Sequence, residues 1–243
     1  NTKGYMELDI AVFLLVLFLV WRYTQSQGDE PSSTLAFDDV EKQIQTGDLI
    51  LVSDCARTES MLDMMFRVSM RISEMSHWMH VGVAVRSEDG VFVWYPFAHR
   101  ELVSLREFAV ENAGCAAVRA LQGRTVSADA VNLTRKHVNE KGSPTLIDTA
   151  MSYLSKSNKK RPASLGYTDA EAIGLLYASA QALTNDSPYG LVASNFANGN
   201  ELRLAPGVSF GPVNYIRPPN GSVVAKNALR ESAAPQATPP ATP

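Results

Sequence analysis

The sequence predicts an α+β domain, an antiparallel sheet packed on helices, carried behind an N-terminal transmembrane helix. Short runs of β-forming residues at 48–52, 76–85 and 91–95 follow one another closely, the last two joined by the turn signal Glu88-Asp89-Gly90. Segments with helical spacing of apolar residues interleave with these runs. Ahead of them, Ile10 to Trp21 is an unbroken apolar stretch without Gly, Pro or charge.

In a bilayer every backbone polar group must be satisfied internally, so a run like Ile10 to Trp21 would be helical. Even counted from Leu8 to Tyr23 it is short against the roughly 17 to 25 residues that span a bilayer, but Trp21, Arg22 and Tyr23 resemble an interfacial belt. The preceding Glu7 and Asp9 outweigh Lys3, and no small-x-small cleavage pattern follows before Gln25. A retained single-pass anchor, with the lipid bilayer as partner of residues 8–23, is the expectation. A removed signal peptide and a buried core helix are its rivals.

Residues 25–45 read as a polar linker followed by a short helix, in which Val40 and Ile44 share a face. The domain proper is placed at 46–219, beginning at Thr46-Gly47-Asp48 and the strand Asp48 to Val52. Thr58 to Ile72 reads as a mostly buried, Met-rich helix. The strand Ser76 to Val85 carries His80 at its mouth, and Val91 to Tyr95 completes a hairpin that Pro96 ends, since proline cannot donate to a ladder.

Leu102 to Val110 is short and charged. Cys115 to Leu121 reads as a further strand, and Ala128 to Asn139 as an amphipathic helix. Thr145 to Leu154 suggests helical turn, and Ser155 to Pro162 a solvated basic loop. Thr168-Asp169-Ala170-Glu171 has the form of a capping box that opens a helix running to about Leu183. Asn185 to Pro219 is turn-rich, with strand-like residues from Pro212 to Arg217. Residues 220–243 are rich in Ala, Pro, Ser and Thr, a composition that buries little; protein neighbours are the expected partners of this tail.

The chain of 243 residues is 45% hydrophobic and 8% aromatic, ordinary values for a single core with appendages. Its formal net charge of −3 gives no electrostatic basis for nucleic-acid binding. Two cysteines, Cys55 and Cys115, are too few for a disulfide framework and lack zinc-ligand spacing, so each reads as a buried thiol. No metal or cofactor is expected. Asn-x-Ser/Thr sequons occur at Asn132, Asn185 and Asn220, the second followed directly by Pro188.

Taken alone, His80 reads most simply as a core histidine satisfied by one hydrogen bond. Gly47-Asp48-Leu49-Ile50-Leu51, Trp78-Met79-His80-Val81-Gly82-Val83-Ala84-Val85 and Asp89-Gly90-Val91-Phe92-Val93 together change that weighting. They resemble the circularly permuted papain-like families, which include bacterial permuted amidase-like lipoproteins and lecithin retinol acyltransferase, relatives of the NlpC peptidases. The resemblance covers roughly residues 46–121.

It implies that His80 stands at the base position, with His77 the weaker claimant because no Val-Gly follows it. It also implies an orienting polar group on the next strand, a place held by Tyr95, and a cysteine opening a later helix in a Cys-Ser-Glu-Leu-Val pattern. On the helix Glu171 to Ala180 the apolar pattern puts Ala172 or Ile173 at that nucleophile position, and neither can attack a carbonyl. A second alignment, over Tyr189 to Ala197, places Val192, Ala193 and Ser194 there, of which Ser194 offers a hydroxyl. Cys55, before the Met-rich helix, is an alternative nucleophile, and Cys115, inside a strand, a weaker one.

The expected function is a membrane-anchored, catalytically inactive papain-like domain that serves as a structural or binding component of an assembly, by analogy a minor capsid or virion-membrane protein. One alternative is an active thiol or serine hydrolase or acyltransferase on peptide or lipid. The other is an accessory subunit of a membrane complex with an unrelated α+β domain. His99 and His137 lack partner patterns and read as surface residues.

Overall fold

The computed structural model describes residues 33–53, 76, 78–96, 99–142, 166–184, 189–198 and 202–219. Among these, seven strands form one mixed sheet: β1 (Ser33–Ala36), β2 (Leu49–Ser53), β3 (Trp78–Ser87), β4 (Gly90–Tyr95), β5 (His99–Ser104), β6 (Ala116–Gln122) and β7 (Ser209–Arg217). Their order across the sheet is β1-β7-β6-β2-β3-β4-β5. All neighbours are antiparallel except β1 and β7, so the expected antiparallel sheet carries one parallel pair at its edge.

The helices are α1 (Phe37–Gln43), α2 (Leu105–Glu111), α3 (Ala128–Lys141), α4 (Asp169–Ser179) and α5 (Ala193–Asn198). They cover both faces of the sheet, which is why its central strands read as continuous apolar runs. On β2, Leu49 and Leu51 join Val81, Val83, Ile173, Leu176 and Phe196 under α3, α4 and α5. Ile50 and Val52 point the other way, into a second core with Phe37, Val40, Leu105 and Phe108 of α1 and α2. Because β1 pairs with β7 and α1 buries Phe37 and Val40, the folded body includes residues upstream of 46.

Buried polar contacts fix how β2 is entered. Gly47 adopts φ 98°, and a Cβ there would sit 2.6 Å from Val126 Cβ, so the turn admits no side chain. The Gly47 carbonyl accepts from the buried Tyr177 hydroxyl at 2.6 Å, tying α4 to the turn. The carboxylate of Asp48 accepts from Gln45 N–H at 2.7 Å and Leu121 N–H at 2.9 Å. Burial raises its pKa above the usual carboxylate value despite those donors and nearby Arg86.

Helix α4 opens with the capping box expected from the sequence: Thr168 Oγ1 accepts from Glu171 N–H, and Glu171 Oε2 from Thr168 N–H. It ends earlier than expected, at Ser179. Gln181 takes a left-handed conformation, φ 56°, and Ala182 N–H reaches back to Tyr177 O at 2.8 Å, closing the last turn as a glycine usually would.

Among the described residues no helix is long and apolar enough to cross a membrane. The expected anchor at 8–23, the Met-rich helix, the basic loop and the tail at 220–243 lie outside those residues.

Candidate functional site

A bulge sets the geometry around His80. β2 and β3 pair Val52 with His80 and then Ser53 with Trp78, so Met79 is the extra residue. An extra residue reverses the alternation of side chains. Trp78 therefore shares the α4 face with Val81, and His80 lies on the same side as Gly82 and Ala84.

The β3–β4 ladder runs from Ser87↔Gly90 to Val83↔Trp94. Extending that register sets Gly82 opposite Tyr95 and Val81 opposite Pro96. Ala84 N–H bonds to Asp48 O on the β2 side, so alternation turns the Val81 N–H toward β4. There it meets not a strand but Asp169, the first residue of α4, whose Oδ2 accepts at 2.9 Å.

The same oxygen lies 3.2 Å from His80 Nδ1. The side chains are 24% and 10% exposed, so the pair sits at the rim of the core rather than deep inside it. Asp169 Oδ1 accepts from Ala170 N–H at 3.0 Å, which engages the second oxygen as well. A carboxylate on Nδ1 favours the tautomer with its proton on that nitrogen. A negative group at this place also suits the positive end of the α4 dipole.

Tyr95 meets the His80 ring edge-on, with centroids 5.9 Å apart and planes at 80°. Its far side packs edge-on against Phe108 of α2. Gly82 makes room for it: a Cβ there would lie 2.7 Å from Trp94 O and 3.5 Å from the Tyr95 ring. Burial pushes the Tyr95 phenol well above its usual pKa, and the negative charge of Asp169 pushes it further.

The sequence-predicted residues thus divide. His80 and Tyr95 are brought together, but the polar group on Nδ1 is Asp169, and the Tyr95 contact is ring against ring. Ala172, assigned from the apolar pattern to the nucleophile position, is instead fully buried in the core beside Ile173, because one helical turn separates it from the end that meets His80. The residue of α4 at that meeting point is Asp169. Aligning the Cys-Ser-Glu-Leu-Val pattern on its glutamate would have found it, since Asp169-Ala170-Glu171-Ala172-Ile173 then falls in register.

Ser194 is buried in α5, a helix that packs on β2 and β3. Cys115 is disulfide-bonded, which corrects its reading as a buried thiol. The chain has one other cysteine, Cys55, which lies outside the described residues, as does His77. Among the described residues no three His, Cys, Asp or Glu side chains are grouped as metal ligands.

A cleft of about 450 Å³ lies at the opposite end of β3, lined by Thr46, Asp48, Arg86, Arg124, Thr125 and Ser127 among others. Its two innermost ionic groups are engaged in holding the fold. Arg86 donates to Glu41 O in the last turn of α1 and to Ile44 O at its C-cap, and Asp48 is held as described above.

No family model matches the chain, and no curated protein matches it. Among solved structures it is similar to the metalloprotein yiiX from Escherichia coli O157:H7, at 15% identity over 69% of this chain and 96% of that one, with a TM-score of 0.34. A likeness at that level leaves the chemistry of the site to the chain's own residues.

Proposed function

We propose that this chain is a catalytically silent domain of permuted papain-like type, serving as a membrane-anchored structural or binding component of a larger assembly. The observation that carries the reading is Asp169. A thiol hydrolase of this type needs a sulfur at the head of the helix facing its histidine, because a thiolate attacks the carbonyl and the imidazole activates it. Here that place holds a carboxylate.

Both oxygens of the carboxylate accept hydrogen bonds, from His80, Val81 and Ala170, so they are engaged in holding strand and helix together. The disulfide at Cys115 removes a second sulfur from nucleophilic use. What remains is a clamp: Asp169 fastens the head of α4 to β3 where a catalytic pair would otherwise stand. A scaffold can outlive its chemistry in this way. Residues 8–23 supply the tether in this reading, and protein neighbours engage the tail.

Two measurements on the full chain test it. Incubation with amide, ester and thioester substrates should give no turnover above that of the His80→Ala variant. The chain should also stay with membranes after alkaline carbonate extraction. Turnover abolished by His80→Ala would overturn the silent reading, and release by carbonate would overturn the anchor.

A further inference from the structure

We propose that Asn132 is a site of N-linked glycosylation. The acceptor motif is Asn132-Leu133-Thr134 on α3. A sequon alone is a weak signal, and two further observations strengthen this one. The first is compartment: Cys115 is disulfide-bonded, and such bonds form and persist in oxidising, export-linked compartments, where oligosaccharide transfer to asparagine also takes place. The second is placement.

Helix α3 buries Val131, Thr134 and Val138 and turns Asn132 to solvent. Beside Asn132 stands Leu133, 71% exposed, the exposed large hydrophobic side chain among the described residues. A glycan on Asn132 would project away from the sheet without displacing any buried group and would screen that leucine from water. The sequons at Asn185 and Asn220 lie outside the described residues.

The co-reactant is a polyprenyl-pyrophosphate-linked oligosaccharide. Nδ2 of Asn132 attacks C1 of its first sugar. The Nδ2–C1 bond forms as the bond from C1 to the pyrophosphate oxygen breaks, the lipid pyrophosphate leaves with the electron pair, and one amide proton passes to a base of the transferase.

The fold also sets the order of events. A transferase reads the sequon hydroxyl, yet in the folded chain Thr134 is buried and its Oγ1 donates to Ala130 O at 2.8 Å. Transfer therefore precedes the closing of α3 onto the sheet, and the folded domain then accommodates the product.

The test uses the full chain isolated from its own cells. Tryptic cleavage after Arg124 and Arg135 isolates the sequon in one peptide, residues 125–135. That peptide should appear only after peptide-N-glycosidase treatment in heavy-oxygen water, with residue 132 converted to labelled Asp. Its full recovery without glycosidase would overturn the proposal, whatever the other two sequons carry. For the order of events, unglycosylated chain is offered to transferase-bearing microsomes with lipid-linked donor. Modification of reduced, unfolded chain but not of folded chain is expected; modification of the folded chain at residue 132 would overturn the ordering. None of these outcomes depends on whether the His80 site is catalytically silent.

Discussion

His80 and Asp169 stand 89 positions apart in the chain and 3.2 Å apart in the fold, Nδ1 against Oδ2. The same oxygen takes the Val81 N–H, so one carboxylate satisfies a side chain and a strand backbone where β3 and β4 part. Asp169→Ala leaves both donors without that acceptor at the edge of the core. The expected loss is about 2 kcal/mol, typical of hydrogen bonds to a charged group. Asp169→Asn keeps one acceptor oxygen and should lose about half as much. Urea denaturation at unchanged m value measures both, and a loss under about 0.5 kcal/mol for the alanine variant, the range of a neutral surface change, would mean that the pair does not fasten α4.

Gly82→Ala probes the other side of the ring. Its Cβ would lie 2.7 Å from a backbone oxygen, Trp94 O, which cannot swing away as a side chain would. A cost of about 1–3 kcal/mol, usual for overpacking, should come with displacement of Tyr95 from the His80 ring. A changed His80 imidazole resonance in the NMR spectrum of Gly82→Ala would report that displacement. An unchanged resonance together with unchanged stability would show that Gly82 is not what seats Tyr95.

The parts of this arrangement differ in how far the sequence discloses them, and the difference follows the range of each signal. β2, β3 and β4 are legible because β-formers, Gly47 and Glu88-Asp89-Gly90 are local cues, and the Thr168–Glu171 box marks the start of α4 for the same reason. The short edge strand β1 and the polar β5 carry no such periodicity; pairing with β7 and β4 makes them strands. Asp169 reads locally as one more acid in a first helical turn. Its role depends on where β4 stops, which Pro96 marks, and on a bulge at Met79, which has no sequence cue. The Cys115 disulfide is likewise a long-range pairing that spacing does not reveal.

Two buried tyrosines set a prediction for alkaline pH. Burial raises the Tyr177 phenol well above its usual value, and Asp48 adds to the shift while Arg119 opposes it. Tyr95 is raised by burial and by Asp169. A raised folded pKa means that the fold favours the protonated phenol. That stability is fully present below the ordinary tyrosine value of about 10 and is lost as pH climbs through the folded values. Of the eight tyrosines in the chain, these two should ionise only together with unfolding. Ultraviolet titration followed alongside circular dichroism checks this, and Tyr177→Phe should remove one of the late-titrating phenols. Ionisation of all eight before any loss of structure would contradict it.

The disulfide makes a simpler forecast. Oxidised chain should give no titratable thiol even in guanidinium, and reduction should expose two while lowering stability by about 2–4 kcal/mol, the usual contribution of a structural bridge. A reactive thiol in the unreduced chain would instead restore a sulfur nucleophile to consideration.

The sharpest test of the silent reading is to place a sulfur at position 169. Asp169→Cys places a thiol on the first residue of an 11-residue helix, at the position that meets His80. A helix N-terminus and an adjacent imidazolium both favour the thiolate. If α4 presents the former nucleophile position, alkylation by iodoacetamide near neutral pH should run about tenfold faster in Asp169→Cys than in Asp169→Cys combined with His80→Ala, since one pKa unit is a factor of ten in thiolate fraction below the pKa. The native disulfide is left intact, so the new cysteine is followed by its own labelled peptide. Equal rates in the two variants would show that His80 cannot activate a thiol at this place, and Asp169 would then be a strand-to-helix fastener with no lost chemistry behind it.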